Sequence, residues 1–319
     1  MARNRLVVGF LTAFLLGLAS AVAEQPARQL RIETQFPKRP DYMCVGFGSL
    51  WMMSDPENNP KLMRIALADN TVVAIPLGHV SGEYHRTTIG EGAVWVTEYS
   101  GQTIYKIDPK SNLIVMTISA DFPEVGNAPP EIGVGEGSVW AITGSISDPV
   151  LRRYSAQTGA EQATIQLPSS NARGVIVDFG SIWIGGSSEV ALYRIDPATD
   201  QIIATIDLHS RPISLTSGEG SVWVREVDGT VQRFDGGSGK LLATFATEAE
   251  GKYGDIAVGG GSVWINSLRV ALIQIDPQTN SQRPMFVSPS DTFMGFTIAY
   301  GGGSLWLGGS AVFRIKPPE

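Results

Sequence analysis

Seven positions in this 319-residue chain, Tyr42, Arg86, Glu131, Gly174, Ser214, Asp255 and Thr297, each stand six residues before the glycine at the third place of a recurring seven-letter word. Their side chains differ in charge and size, although the word that follows them hardly changes. Beside them lie His85, Arg173, Arg211 and Tyr253. Brought together, Arg86, Glu131, Arg173 and Asp255, with Arg211 adjacent, would form a pocket of mixed sign suited to an anionic or polar ligand, with Tyr42 and Tyr253 as flat walls. Glu131 and Asp255 could hold a divalent cation, which prefers oxygen ligands, but two acids are few for that purpose. His85, next to Arg86, could act as a general base, with Arg86, Glu131 and Asp255 around the same substrate. The plain alternative is a set of solvated loop residues that pair loosely, each worth little.

The elements that must position these residues are written in the word itself. It reads "GFGSLWM" from Gly46, "GEGAVWV" from Gly90, "GEGSVWA" from Gly135, "DFGSIWI" from Asp178, "GEGSVWV" from Gly218, "GGGSVWI" from Gly259 and "GGGSLWL" from Gly301. All seven tryptophans of the chain fall in it, at 51, 95, 140, 183, 223, 264 and 306, with spacings of 44, 45, 43, 40, 41 and 42. Alternating apolar residues divide each unit into four strands; in the fifth they are "ISLTS" (213–217), "SVWVRE" (221–226), "TVQRFD" (230–235) and "LLATFA" (241–246). Short strands repeating every 40–45 residues predict an all-β, seven-bladed β-propeller with four antiparallel strands per blade.

Turn chemistry agrees with this division. The two glycines of G-x-G-S are expected to supply positive φ for the reversal between the first and second strands. Asp108-Pro109, Asp196-Pro197 and Asp276-Pro277 predict turns between the third and fourth. The tryptophan, present in every unit, is expected to fill the wedge between blades rather than to bind a ligand. The last unit stops after its third strand, and "LRIETQF" (30–36) resembles an outermost strand. That N-terminal strand is expected to complete the last blade and leave no unpaired edge at the seam. Residues 24–319 then form one domain.

The run "GEGSVWVREVDGTVQRFDGGSGKLLATF" (218–245) resembles the repeats of YVTN-type bacterial β-propellers and of the wider superfamily that includes virginiamycin B lyase. The likeness extends over essentially all of residues 24–319, and it implies the fold while saying little of activity. "WVTE" at Trp95–Glu98 is similar to the repeated Trp-Phe-Thr-Glu of the lyases, in one blade only. Those enzymes use a late-chain histidine as base, whereas His79, His85 and His209 all lie in the first five units. Gluconolactonase-type propellers are similar in placing an acidic metal site at the channel mouth, but the aligned ring has no Asn and only two acids.

Composition excludes other classes. Arg3 and Arg5, the apolar run Leu6–Leu18 and the segment Ala19–Ala23 read as a secretory signal peptide over residues 1–23, which implies a periplasmic or secreted protein with no membrane span after cleavage. Loss of those two arginines takes the formal charge from −7 to −9. An acidic chain without a basic run is a poor partner for nucleic acid. Cys44 is the sole cysteine, so no internal disulfide is available, and it reads as an apolar filler. No nucleophile motif, zinc-type cluster or phosphate loop occurs. The long loops 54–62 and 120–131 are further places for partner contacts. A closed propeller needs no second copy, so a monomer is expected. The preferred function is binding of a protein partner or small polar ligand at one channel mouth, without a cofactor. The alternative is a lyase or lactone hydrolase at the same place.

Overall fold

The structure, a computed structural model, describes residues 28–29, 31–54, 60–78, 85–98, 100–122, 130–267, 272–286 and 297–317. The signal-peptide segment, His79 and most of the loops 54–62 and 120–131 lie outside the described residues. Seven antiparallel sheets form the molecule, with no helix among the described residues. In the fifth blade the strands Pro212–Gly218, Ser221–Glu226, Thr230–Asp235 and Leu241–Ala246 run from the centre outward in chain order. The innermost strands of successive blades contact one another in cyclic order, the seventh touching the first, so they surround a central channel.

Burial follows from that arrangement. The second strand is sandwiched between neighbouring blades and is buried on both faces in every unit. Outermost strands keep one face in water and alternate instead. The seven apolar clusters sit one at each junction between blades: Trp95 packs with Val139 of the next blade, Trp140 with Ile182, and Trp306 with Leu50 across the seam. All seven indoles are at most 1% exposed, and each N–H donates to the carbonyl five residues earlier at 3.0–3.4 Å. A buried tryptophan needs that acceptor, and the first strand of its own blade provides it.

The glycine expectation requires correction. Gly218 (148°) is the one first glycine with positive φ; elsewhere it falls on the middle residue and on the second glycine, as at Glu91 (50°) and Gly92 (72°), and the fifth blade has it there too, at Glu219 (51°) and Gly220 (69°). That is the two-residue hairpin turn whose twist matches the strands. The first glycine is needed for space instead. A Cβ on Gly90 would lie 2.6 Å from Val134 Cγ1 and 2.8 Å from the Val134 carbonyl oxygen, because the innermost strands crowd together at the axis.

A second contact recurs in five blades and ties four of them to the next. On the third strand, Arg64, Arg153, Arg194, Arg233 and Arg314 lie over the tryptophan of their own blade at 4.8–5.2 Å. Their Nε atoms donate to the serine of the word at 2.8–2.9 Å. Four of them also reach the following blade: Arg64 Nη1 donates to the Pro109 carbonyl and Asn112 Oδ1, and Arg314 Nη1 crosses the seam to the Leu67 carbonyl and Asn70 Oδ1. The Asp-Pro turns form as expected, Asp108 accepting from the Lys110 N–H and the Ser111 hydroxyl.

Closure is by the N-terminal strand. Arg31–Phe36 pairs antiparallel with Val312–Lys316, and Phe36 stacks on Trp306 at 6.2 Å. The backbone of Arg28–Gln29 pairs in addition with Met285 and Phe286 of the sixth blade, in parallel, which the repeat did not announce.

Candidate functional site

The ring positions lie at the entry of each innermost strand, where the connection from the previous blade turns into the channel. In the second and sixth blades the residue two beyond the tryptophan fixes this entry. Thr97 Oγ1 accepts the Arg86 N–H at 2.9 Å, and Asn266 Oδ1 accepts the Asp255 N–H at 2.7 Å. Bulges redirect the chain in three blades, between Pro40 and Met43, Arg173 and Val175, and Pro212 and Ser214. In the fourth blade the aligned residue is Gly174, in the left-handed region at 64°. The charge of Arg173, beside it, acts on Tyr42.

Four predicted residues converge. Arg86 Nη2 is 2.9 Å from Glu131 Oε2, and its guanidinium lies 4.3 Å from the centre of the Tyr42 ring. Asp255 Oδ2 accepts from Thr297 Oγ1 at 3.4 Å, and Thr297 Oγ1 accepts the Met43 N–H at 3.3 Å, which carries the network back to the first blade. The charges of Asp255, Glu131, Arg86 and Arg173 all bear on Tyr42. Burial, partly offset by Arg86, pushes the Tyr42 phenol up to about 12, so it is a neutral donor at physiological pH. Asp255 is also raised, by burial first, with Arg86 the leading opposing charge. Burial disfavours the charge on Arg86, but Glu131, Tyr42 and Asp255 outweigh it and hold this guanidinium above its usual range.

Arg211, just outside the strand Pro212–Gly218, is exposed. The Tyr253 ring is 36% exposed beneath the Lys252 ammonium, and its carbonyl accepts from Arg225. That carbonyl leads to a residue the ring alignment missed. Arg225, on the second strand of the fifth blade, is fully buried, and its Nη2 donates to the carbonyls of Ala249, Gly251 and Tyr253 at 2.6–3.1 Å. Burial pushes it down to about 10, opposed by Asp255 and Tyr42, so it stays charged at neutral pH.

His85 is buried, with Nδ1 2.8 Å from Asp41 Oδ2, which also accepts the His85 backbone N–H. Both carboxylates expected to take a divalent cation already face cations of the chain. Glu131 is bound to Arg86, Asp255 lies in the fields of Arg86 and Arg225, and no group of three metal-ligating side chains occurs among the described residues. Cys44 packs with Trp51 and Val94, and burial pushes its thiol up, as suits a filler. A shallow depression lined by Phe47, Arg64, Gly92, Asp108, Pro109 and Lys110 lies at the turns of the opposite face.

The fold and the ring define the class: the chain is a seven-bladed β-propeller whose repeat breaks its regularity at one channel mouth. No known family model matches the chain, and no curated protein matches it significantly.

Proposed function

We propose that this chain is an exported propeller of the YVTN type, within the superfamily that includes virginiamycin B lyase, and that it binds a small polar ligand or a protein partner at the mouth carrying Tyr42, Arg86, Glu131 and Asp255. The observation that carries this reading is the convergence of unlike charged side chains from separate blades on one ring, while the tryptophan at the packing position is kept in all seven blades. Convergent polar groups on a rigid concave scaffold are what small-ligand recognition needs. The pattern of residues 1–23 supports export to the periplasm or beyond.

The test is a thermal-melt screen of the mature protein against polar metabolites, repeated with Tyr42→Ala and Arg86→Ala. A ligand at 100 times its Kd stabilises by about 2.7 kcal/mol. The expected result is a saturable rise in Tm with some members, lost in both variants. No rise with calcium, magnesium, manganese or zinc is expected.

One observation favours the alternative of a lyase or lactone hydrolase: Asp41 orients the His85 ring, whose Nε2 has no partner among the described residues. Turnover of a lactone panel by the wild type, abolished in His85→Ala, would replace the binding reading.

A further inference from the structure

Arg225 is the one fully buried cation in the second strands described, and only part of its guanidinium is occupied. Nη2 serves the three carbonyls of the loop 247–255, while Nε and Nη1 have no hydrogen-bond partner among the described residues. Arg86 shows the same division: Nη2 is held by Glu131, and its buried Nε has no such partner. Ser214 Oγ, at the ring position of the fifth blade, is a third buried group without one. A buried donor left unpaired is costly, more so when it is charged. Buried donors of this kind are able to take up an acceptor that a bound molecule supplies.

The balance of charge selects the kind of acceptor. Arg86, Arg173, Glu131 and Asp255 act together on Tyr42, and Asp255 and Tyr42 act on Arg225, so these five charged groups are three cations and two carboxylates, a formal sum of +1 in a chain whose formal charge is −7. A singly charged oxyanion neutralises that excess; a dianion would overshoot it beside Asp255 and Glu131. The Tyr42 ring, with Arg86 on one face, offers a flat apolar surface next to the cations. Building on the binding role above, we propose that this mouth binds a small carboxylate monoanion, whose oxygens take the unspent donors of Arg225, Arg86 and Ser214 and whose body lies toward Tyr42.

The experiment uses benzoate and acetate as probes, with benzamide and acetamide as neutral isosteres and inorganic phosphate as the dianion, at constant ionic strength in chloride. Binding is followed by melting and by isothermal titration on the mature chain. Benzoate is expected to bind saturably and benzamide at least about tenfold more weakly, because it loses the charge-assisted bonds. Asp255→Asn, which removes a repelling carboxylate while keeping its size, should tighten benzoate about tenfold, an outcome that misfolding cannot imitate. Arg86→Gln paired with Glu131→Gln, which removes both members of that ion pair, should weaken it by a similar factor. Benzamide binding as tightly as benzoate, phosphate displacing benzoate, or benzoate unmoved by both variants would overturn the carboxylate assignment. If Tyr42→Ala then abolishes the benzamide response, the mouth is still a binding site and only the ligand class is wrong. No saturable response to any probe in the wild type or in Asp255→Asn overturns the assignment as well.

Discussion

Glu226 closes the second strand of the fifth blade as a fully buried carboxylate. One oxygen accepts the Ser210 N–H; the other has no partner among the described residues. Burial, reinforced by Asp228, pushes its carboxyl up to about 8 from an ordinary 4.5. The unfolded chain therefore releases this proton at a lower pH than the fold does, so the residue costs stability as pH rises from 4.5 toward 8. Glu226→Gln should raise Tm at pH 8 and leave it nearly unchanged at pH 4, and a melting series across that window would show the difference growing with pH. Arg225 beside it shows why part of the site was hidden in the sequence. Counting back from the glycines found Tyr42, Arg86, Glu131 and Asp255, because ring positions are in register with the turn. Arg225 sits inside "SVWVRE", where it reads as an ordinary strand residue. Its signal was there: the equivalent positions hold Met53, Thr97, Ile142, Gly185, Asn266 and Gly308, none of them charged. Arg173 was legible only as a neighbour, since a bulge cannot be read from residue counting.

The blade is held by the serine, tryptophan and arginine of adjacent strands acting together. The second blade departs from the rule at both polar places, with Ala93 for serine and Lys106 for arginine; Lys106 reaches the next blade through the Ala156 carbonyl at 2.6 Å. Installing arginine alone there would leave its Nε without the hydroxyl acceptor found in the other blades. Ala93→Ser with Lys106→Arg should therefore stabilise by about 0.5–1.5 kcal/mol more than the sum of the single changes, measured as a double-mutant cycle in urea. Gly90→Ala should cost about 1–3 kcal/mol, since the methyl must displace backbone of the third blade. The strands were legible almost to the residue because apolar alternation and turn chemistry coincide. The role of the first glycine was not, because a demand for space and a demand for positive φ select the same letter.

At the scale of the molecule, everything depends on one seam. The strand Arg31–Phe36 gives the seventh blade its outer edge, Arg314 bridges to the Asn70 turn, and Phe36 covers Trp306. Phe36→Ala should cost about 3–5 kcal/mol. Deleting residues 28–36 should lower Tm further and produce concentration-dependent association by light scattering, because the strand Val312–Lys316 would become an open edge. The same pairing imposes an order in time. Arg31 lies opposite Lys316, so a strand made among the first must wait for one made among the last. While the chain is being synthesised, six blades can assemble but the ring cannot shut. In that interval the waiting strand can complete another copy's last blade as readily as its own, so concentration during maturation, rather than stability once mature, decides whether monomers or exchanged dimers accumulate.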